Sequence, residues 1–193
     1  MRRETQKHER ISFFDWICAD GNCYIDTGLT NSSDTTSIEL EFGIIPTNDN
    51  SGNSELIAIS RSVAGLQVYI GIYYGAFSIL NQSSDVAVNS GTYYEIETYT
   101  TASLRRVRIK DGSWVDQTFS RSISDGSKIY LLGAPGLQIG SKNDRLYYLK
   151  IKRNNVYVRN YRPAMKDGLA GLYDDINDRF DTTTNGLLTL GND

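Results

Sequence analysis

Two pairs of glutamates are the residues whose type and spacing come closest to catalytic chemistry. Glu39 and Glu41 alternate with apolar residues in one segment, and Glu95 and Glu97 do so in another. Side chains two positions apart on a strand point to the same face, so each pair would hold two carboxylates side by side. Hydrolysis of a glycosidic bond uses two carboxyl groups in different roles. The sequence thus offers the residue type that such a reaction needs.

The other residue types that carry chemistry are scarce. His8 is the only histidine, and it lies in a polar N-terminal segment, so we interpret it as solvated rather than catalytic. Cys18 and Cys23 bracket the turn ADGN, and two thiols cannot supply the four ligands of a structural zinc site. We favour two reduced thiols beside a turn, with a disulfide across the turn as the alternative. We predict no metal site.

Aromatic residues suggest a second kind of chemistry, the recognition of sugars. Aromatic rings stack on the apolar faces of sugars, while nearby amides and carboxylates bond the hydroxyl groups. The alternative is that each ring packs in the core or at its rim with any hydroxyl in water. Trp114 follows a predicted hairpin turn, so we expect it to be the most exposed. The candidate ligand-binding residues are Trp16, Trp114, Tyr69, Tyr73, Tyr74 and Tyr147.

The charge balance argues against nucleic acid and membrane partners. Twenty Lys and Arg residues against 23 Asp and Glu residues give a formal net charge of −3, which supplies no broad basic footprint. No apolar run approaches the ~20 residues that span a bilayer. One basic stripe remains, which we interpret as a solvated strand face rather than a site for an acidic partner. Its residues are Arg105, Arg106, Arg108 and Lys110.

Period-two patterns and turn residues predict the elements. Asn154 and Asn155 join two alternating runs, RLYYLKIKR and VYVRNY, which predicts a β-hairpin. Asp111 and Gly112 predict a two-residue turn in a second hairpin. Pro163 is expected to end the second strand of the first hairpin, because proline cannot donate to a ladder.

These strands predict an all-β fold. They recur about every ten residues with no convincing helix, which favours an antiparallel sandwich of two sheets. In the run RLYYLKIKR we expect Leu146 and Tyr148 to face the same way, with Ile151 as a further candidate for that face. A chain of 193 residues is long enough for one core. We predict a polar arm over residues 1–10 and one domain over residues 11–193.

The C-terminal third resembles a known family. The segments YLKIK, VRNY, PA and GLYD, followed by Phe180, are similar to the C-terminal part of concanavalin A-like, or laminin-G-like, jelly-roll domains of tailed phages and gut bacteria. Near the start, CYIDTGLTNSSDTTSIELEF is similar to the opening strands of the same domains. The resemblance covers most of residues 11–191. It implies a jelly-roll β-sandwich and leaves the activity open, because such folds have many functions.

The resemblance also provides a test for catalysis. Glucanases of this fold carry carboxylates at the first, third and sixth positions of a strand motif. Counting from Glu95, the sixth position is Thr100, and counting from Glu39 it is Ile44. The third carboxylate is absent in both places. We therefore predict a protein that is not an enzyme.

Calcium is the one cofactor that the resemblance raises, since some members hold it at a loop rim. The oxygens of Asp49, Asn50 and Asn53, or of Asn143 and Asp144, are of the kind that calcium prefers. Neither stretch has the spacing of a calcium loop, so we interpret them as turn residues and predict no cofactor. The resemblance implies that GLYD is a structural turn with Tyr173 and Phe180 as its anchors, so we interpret the acidic group of Asp174, Asp175, Asp178 and Asp181 as structure.

The function that we expect is attachment. The resemblance to phage domains and the absence of an apolar signal segment suggest a non-catalytic structural or adhesion protein of a phage virion, in a capsid, tail or fibre. It would be a homo-oligomer, bound to other virion or surface proteins and to a host glycan. A free carbohydrate-binding module of a gut bacterium is the alternative, and a glycoside hydrolase is a third. The residues expected to anchor the polar arm to its partner are Arg2, Arg3, Lys7 and Arg10.

Overall fold

The computed structural model describes residues 10–47, 54–60, 66–73, 76–79, 86–118, 126–135, 142–183 and 185–193. Within these ranges the regular structure consists of strands, as the sequence predicts. In chain order they are β1 (Ile11–Phe13), β2 (Trp16–Ala19), β3 (Ile25–Thr30), β4 (Ile38–Ile45), β5 (Ser54–Ser60), β6 (Leu66–Tyr73), β7 (Ala76–Ile79), β8 (Val86–Ala87), β9 (Tyr94–Thr100), β10 (Leu104–Ile109), β11 (Val115–Thr118), β12 (Lys128–Leu131), β13 (Arg145–Arg153), β14 (Val156–Lys166), β15 (Leu169–Asp174), β16 (Arg179–Asp181) and β17 (Leu188–Gly191).

The strands form two antiparallel sheets. The large sheet has the order β11-β10-β9-β4-β13-β14-β15-β16, with β1 beside β14 and with β2 between β13 and β17. The small sheet has the order β3-β12-β5-β6-β7-β8. The described part of the chain contains no helix long and apolar enough to cross a bilayer. The predicted all-β, two-sheet antiparallel sandwich is confirmed.

The core lies between the two sheets. Alternate residues of the central strands of the large sheet are buried, such as Leu40 and Phe42 in β4, and they face Ile70 and Phe77 of the small sheet. The rings of Phe42 and Phe77 meet edge to face, with centroids 6.0 Å apart. Burial of each large apolar side chain contributes about 1.5–3 kcal/mol. The opposite faces of the same strands are therefore left for polar residues.

The predicted hairpin at Asn154 and Asn155 is confirmed. It joins β13 to β14, and both residues have positive φ angles, 52° and 64°, which match the twist of the flanking strands. The Asn154 side chain also accepts hydrogen bonds from the backbone N–H groups of Thr36 and Ser37, at 2.8 and 3.2 Å. The turn therefore fixes the chain that leads into β4.

Pro163 does not end β14, which continues to Lys166. The Pro163 carbonyl accepts a hydrogen bond from the N–H of Phe14. The N–H and carbonyl of one strand residue point to the same side, so the missing donor of Pro163 would have pointed towards Phe14, where β1 has just ended. The ladder with β15 needs no donor at this position.

The second hairpin turn is longer than predicted. β10 ends at Ile109 and β11 begins at Val115, so five residues, 110–114, separate the two strands. The last pair between them is Val107 with Val115, and the predicted two-residue turn at Asp111 and Gly112 is therefore wrong. The Gly112 N–H donates to the carbonyl of Ile109, and Asp111 has a φ of 65°. Asp111 and Gly112 lie in the turn, but they are not its two central residues as a two-residue hairpin would require.

Two expected side-chain directions are also wrong. A bulge in β13 at Tyr147 shifts the alternation, so Leu146 is buried whereas Tyr148 points away from the core. Arg105 belongs to the expected solvated stripe, yet its side chain is 1% exposed. Arg105 lies two positions before the buried Val107 and therefore points to the same, inner side of the strand. Only the other three members of that stripe point outward.

A second group of charges is buried at β14, β15 and β16, and we call it the buried cluster. Asp174 is fully buried and accepts hydrogen bonds from the backbone N–H groups of Asn160 and Ile176, at 2.9 and 3.1 Å. Arg159 forms an ion pair with Asp174 at 3.4 Å. The predicted turn at GLYD is wrong, because these four residues belong to β15 and the turn follows at residues 175–178. Asp174 nevertheless has a structural role, since it accepts hydrogen bonds from backbone donors. The cluster consists of the buried side chains of Arg159, Tyr161, Asp174 and Asp181. Their partners at its rim, which are more exposed, are Asn160, Ile176, Asn177 and Arg179.

Candidate functional site

The outer face of the large sheet, which points away from the small sheet, carries the candidate site. In β4, Glu39, Glu41 and Gly43 alternate with the buried residues Ile38, Leu40 and Phe42. The same period-two rule places Glu95 and Glu97 of β9, Arg106 and Arg108 of β10, and Lys150 and Lys152 of β13 on that face. Most side chains of the central outer face are thus charged.

The strand register brings these charges together. Glu97 is directly opposite Glu41, an unfavourable arrangement for two like charges unless neighbours compensate. Arg108 lies opposite Glu97 on one side, and Lys150 lies opposite Glu41 on the other. The Arg108 Nη2–Glu97 Oε2 distance is 2.5 Å, and the Lys150 Nζ–Glu41 Oε1 distance is 2.9 Å. Two acidic strands are therefore flanked by two basic ones.

The neighbouring rows repeat this pairing. Lys152 Nζ lies 3.8 Å from Glu39, and Lys110 Nζ lies 2.6 Å from Glu95. The hydrogen bond from Lys110 lowers the pKa of Glu95 and raises the pKa of Lys110. At the edge, Arg106 pairs with Asp116 at 3.1 Å. Each carboxylate in these rows is thus paired with a basic side chain, and the charges of these pairs balance.

A depression of about 480 Å³, open solvent included, lies in the middle of this face. Trp114 borders it on the β10 side, where the Arg108 guanidinium carbon lies 4.4 Å from the ring centroid. Tyr157 borders it on the β14 side, is 44% exposed and donates a hydrogen bond to Glu41 at 3.4 Å. β10 and β14 are four strand spacings apart, or about 19 Å. The lining residues are Glu39, Leu40, Glu41, Glu97, Thr98, Arg108, Trp114, Lys150, Lys152 and Tyr157.

The candidate aromatic residues fall into three groups. Trp114 borders the depression. Trp16 and Tyr147 lie further along the outer face, where the Arg145 guanidinium covers the Trp16 ring with its carbon 4.5 Å from the centroid. The backbone of Tyr73 belongs to β6. The side chains of Tyr69 and Tyr73, and the whole of Tyr74, lie outside what the structure describes.

Tyr157 and Lys150, which both contact Glu41, are among the lining residues that sequence reasoning did not single out. The period-two patterns of β13 and β14 predict which face of the sheet each residue lies on. Their approach to Glu41 depends on the pairing of β13 with β4, which are more than a hundred residues apart in the chain. No local pattern reports that pairing.

No metal site stands out in the part of the chain that the structure describes. In the described residues no group of three or more His, Cys, Asp or Glu side chains is placed to hold a metal ion. Asp144, one of the candidate calcium ligands, accepts a hydrogen bond from the Thr47 N–H at 2.8 Å, and Asn143 has a positive φ of 64°. The other candidates, Asp49, Asn50 and Asn53, lie outside the described residues.

Both thiols are free and buried. Cys18 and Cys23 form no disulfide in the structure. Burial raises the pKa of Cys18, and it raises the pKa of Cys23 to about 11. A thiolate is the reactive form of cysteine, so buried thiols with raised pKa values suit a structural position.

No protein-family model and no curated protein matches the sequence. Solved structures do match. A heptameric SAP-like pentraxin from Limulus polyphemus has a TM-score of 0.59 at 12% identity, over 91% of this chain and 94% of the pentraxin. Domains LG4-5 of the mouse laminin alpha1 chain give 0.55 at 12% identity, over 93% of this chain and 47% of that one. The fold is a concanavalin A-like, laminin-G-like jelly roll.

This jelly roll also occurs within larger proteins. The extracellular region of zebrafish Gpr126 matches with a TM-score of 0.50 at 10% identity, over 71% of this chain and 21% of that region. The chain spans less than half of both the Gpr126 and the laminin structures. Alginate lyases and sialidases match with TM-scores below 0.5. At these identities the likeness establishes the fold, and the fold alone does not decide between catalysis and binding.

Proposed function

We propose that this jelly roll is a non-catalytic carbohydrate-binding domain whose site is the depression on its outer face. The observation that carries the proposal is the composition of that depression, in which paired charges form the floor and Trp114 and Tyr157 stand at opposite edges. The laminin-G-like fold supports the proposal only in a general way.

The chemistry of the depression suits sugars because a hydroxyl group both donates and accepts hydrogen bonds. Glu41 and Glu97 supply acceptors, while Arg108 and Lys150 supply donors within the same row. Each cation is already paired with a carboxylate, so little unpaired positive charge is left to attract a polyanion. A neutral glycan is the ligand class that this balance favours.

The same pairs argue for binding rather than hydrolysis. Glycosidases need one carboxyl group that donates a proton to the leaving oxygen. In the depression, Glu97 accepts the hydrogen bond of Arg108, and Glu41 accepts those of Lys150 and Tyr157. Both carboxylates act as acceptors, which supports a binding role.

The test is a glycan array probed with the domain and with Trp114→Ala. We expect neutral oligosaccharides to bind, the polyanions heparin and alginate to stay at background, and Trp114→Ala to lose binding by about tenfold or more. Tyr24→Ala is the matched control, because Tyr24 lies outside the depression, against Tyr130 of the small sheet. Unchanged binding by Trp114→Ala would contradict the proposal. Sugar turnover that disappears in Glu97→Gln would replace it with a hydrolase.

The wider role that we propose is attachment, on a phage particle or, as the alternative, as a free module of a gut bacterium. This proposal rests on the sequence resemblance and on the charged N-terminal segment, with other surface proteins or further copies of the chain as partners. Arg10 is exposed, while Arg2, Arg3 and Lys7 lie outside the described residues. Deletion of residues 1–10 should abolish incorporation into particles and leave glycan binding intact. Incorporation at the full level would count against the anchor.

A further inference from the structure

Three tyrosines form a cluster next to the depression, and we call them the tyrosine cluster: Tyr93, Tyr147 and Tyr148. The rings of Tyr93 and Tyr147 meet edge to face, with centroids 5.2 Å apart. Tyr93 is 44% exposed although it is a large aromatic residue. The cluster lies over Gly43, where an added Cβ would meet the Tyr93 hydroxyl and lie 2.8 Å from the Tyr148 ring. The missing side chain of Gly43 thus makes the room that the cluster occupies.

The cluster lies on the same face as the depression. Tyr148 is opposite Gly43, and Gly43 is opposite Glu95. Two positions further along the same three strands come Lys150, Glu41 and Glu97, which line the depression. Two residues span about 7 Å along a strand. The two surfaces are therefore adjacent, and the Lys150 ammonium, 5.3 Å from the Tyr148 ring centroid, lies between them.

The position of Tyr147 is fixed by a polar contact. Its hydroxyl donates a hydrogen bond to Asp193 at 2.7 Å, and Asp193 also pairs with Arg145 at 3.5 Å. This leaves the two rings of Tyr93 and Tyr147 held against each other before any ligand arrives. A preorganised aromatic surface loses less conformational entropy on binding than a mobile one.

We infer that Tyr93 and Tyr147 form a second sugar-stacking position, so that the ligand is a linear neutral glycan that occupies the depression and the tyrosine cluster together. This inference rests on the proposed function and extends it. The glycan runs from the depression past Lys150 onto the exposed ring of Tyr93. Shorter sugars fill the depression only.

The experiment measures affinity against ligand length. The probes are immobilised neutral oligosaccharides of two to six residues from the gluco-, manno-, galacto- and xylo- series. For the wild type we expect the longest members of the bound series to bind about tenfold more tightly than the shortest, which is the size of a good aromatic contact. Tyr93→Ala and Tyr147→Ala should remove that gain and leave binding of the shortest members unchanged. Tyr147→Leu, which keeps apolar bulk, should do the same.

The outcomes separate this inference from the proposed function. Tyr24→Ala is again the matched control, because Tyr24 also forms an edge-to-face tyrosine pair, with Tyr130 at 5.5 Å, away from the site. If the affinity does not depend on length, or if Tyr93→Ala and Tyr147→Leu keep the full gain, the second position is wrong, although Trp114→Ala still loses binding. If no neutral series binds the wild type at any length, the proposed function itself fails.

Discussion

The large sheet contains two groups of ion pairs, the buried cluster and the outer-face pairs. Asp174 of the buried cluster is fully enclosed, and its oxygens accept bonds from backbone and side-chain donors. Glu41 and Lys150 of the outer face have side chains 21% and 34% exposed. A buried charge that loses its partner is strongly destabilising, whereas an exposed pair contributes little. Similar chemistry therefore stabilises the fold in one place and remains available to a ligand in the other.

Among substitutions in these two groups of ion pairs, we expect the largest loss of stability at Asp174. Asp174→Ala leaves the Asn160 and Ile176 N–H groups and the Arg159 guanidinium without their acceptor. We predict a loss of about 3–5 kcal/mol in the free energy of unfolding, measured by urea denaturation. Glu41→Ala is the matched control, with a predicted change of less than about 1 kcal/mol. Equal losses in the two variants would contradict the contrast.

A smaller effect is expected at Tyr161, which is 1% exposed and donates a hydrogen bond to Asp181 at 2.6 Å. Tyr161→Phe keeps the ring and removes this donor, so Asp181 keeps only its pairing with Arg179. We predict a loss of about 1–3 kcal/mol, measured in the same way. Tyr157→Phe removes a hydroxyl from the outer face and should leave the stability nearly unchanged. A stable Tyr161→Phe variant would show that the buried cluster does not depend on this bond.

The outer-face pair of Lys110 and Glu95 should have a small effect that depends on pH. The Lys110 hydrogen bond lowers the pKa of Glu95 in the folded state. The pair therefore stabilises the fold above the ordinary carboxyl pKa of 4.5, and this contribution is lost as the pH falls through the lower folded value. The difference in free energy of unfolding between the wild type and Lys110→Met should be constant from pH 5 to 9 and shrink below about pH 4.5. A difference that persists at pH 2 would mean that the lysine acts through packing.

The smallest effects are expected for an exposed ion pair at the edge of the outer face. Arg106→Gln and Asp116→Asn break a pair whose side chains are 31% and 53% exposed. Each variant should change the free energy of unfolding by less than about 0.5 kcal/mol, and 1 M salt should remove most of that difference. Double-mutant analysis of the two variants measures the coupling. A coupling above 2 kcal/mol would place this pair with the buried cluster.

The sequence predicts the strands and turns of this fold better than it predicts which strands pair and in which register. Asn154 and Asn155 carry a local conformational requirement, positive φ, so the hairpin can be recognised without any knowledge of distant strands. The alternation around Glu41 and Glu97 likewise predicts that both point into solvent. It does not predict that they face each other, because that depends on the pairing of β4 with β9.

Two of the errors arise from strand irregularity and register. The bulge at Tyr147 turns Tyr148 to the outer face, and no residue type in RLYYLKIKR requires a bulge. The long turn that ends at Trp114 follows from a register that the neighbouring strands set. The candidate site was therefore only partly predictable: Trp114 follows from its position after a turn, whereas Tyr157 and the tyrosine cluster depend on contacts distant in sequence.

Gly43 has a consequence for the accuracy of folding. A two-residue slip of β13 along β4 would keep inward and outward residues on their correct sides, and Glu41 would still find a lysine, Lys152 in place of Lys150. Only the native alignment, however, puts the Tyr148 ring over a residue that has no side chain. A single glycine thus distinguishes the native register from the slipped register, which the charge pairs alone would also allow. Gly43→Val should therefore yield misaligned, aggregation-prone chains.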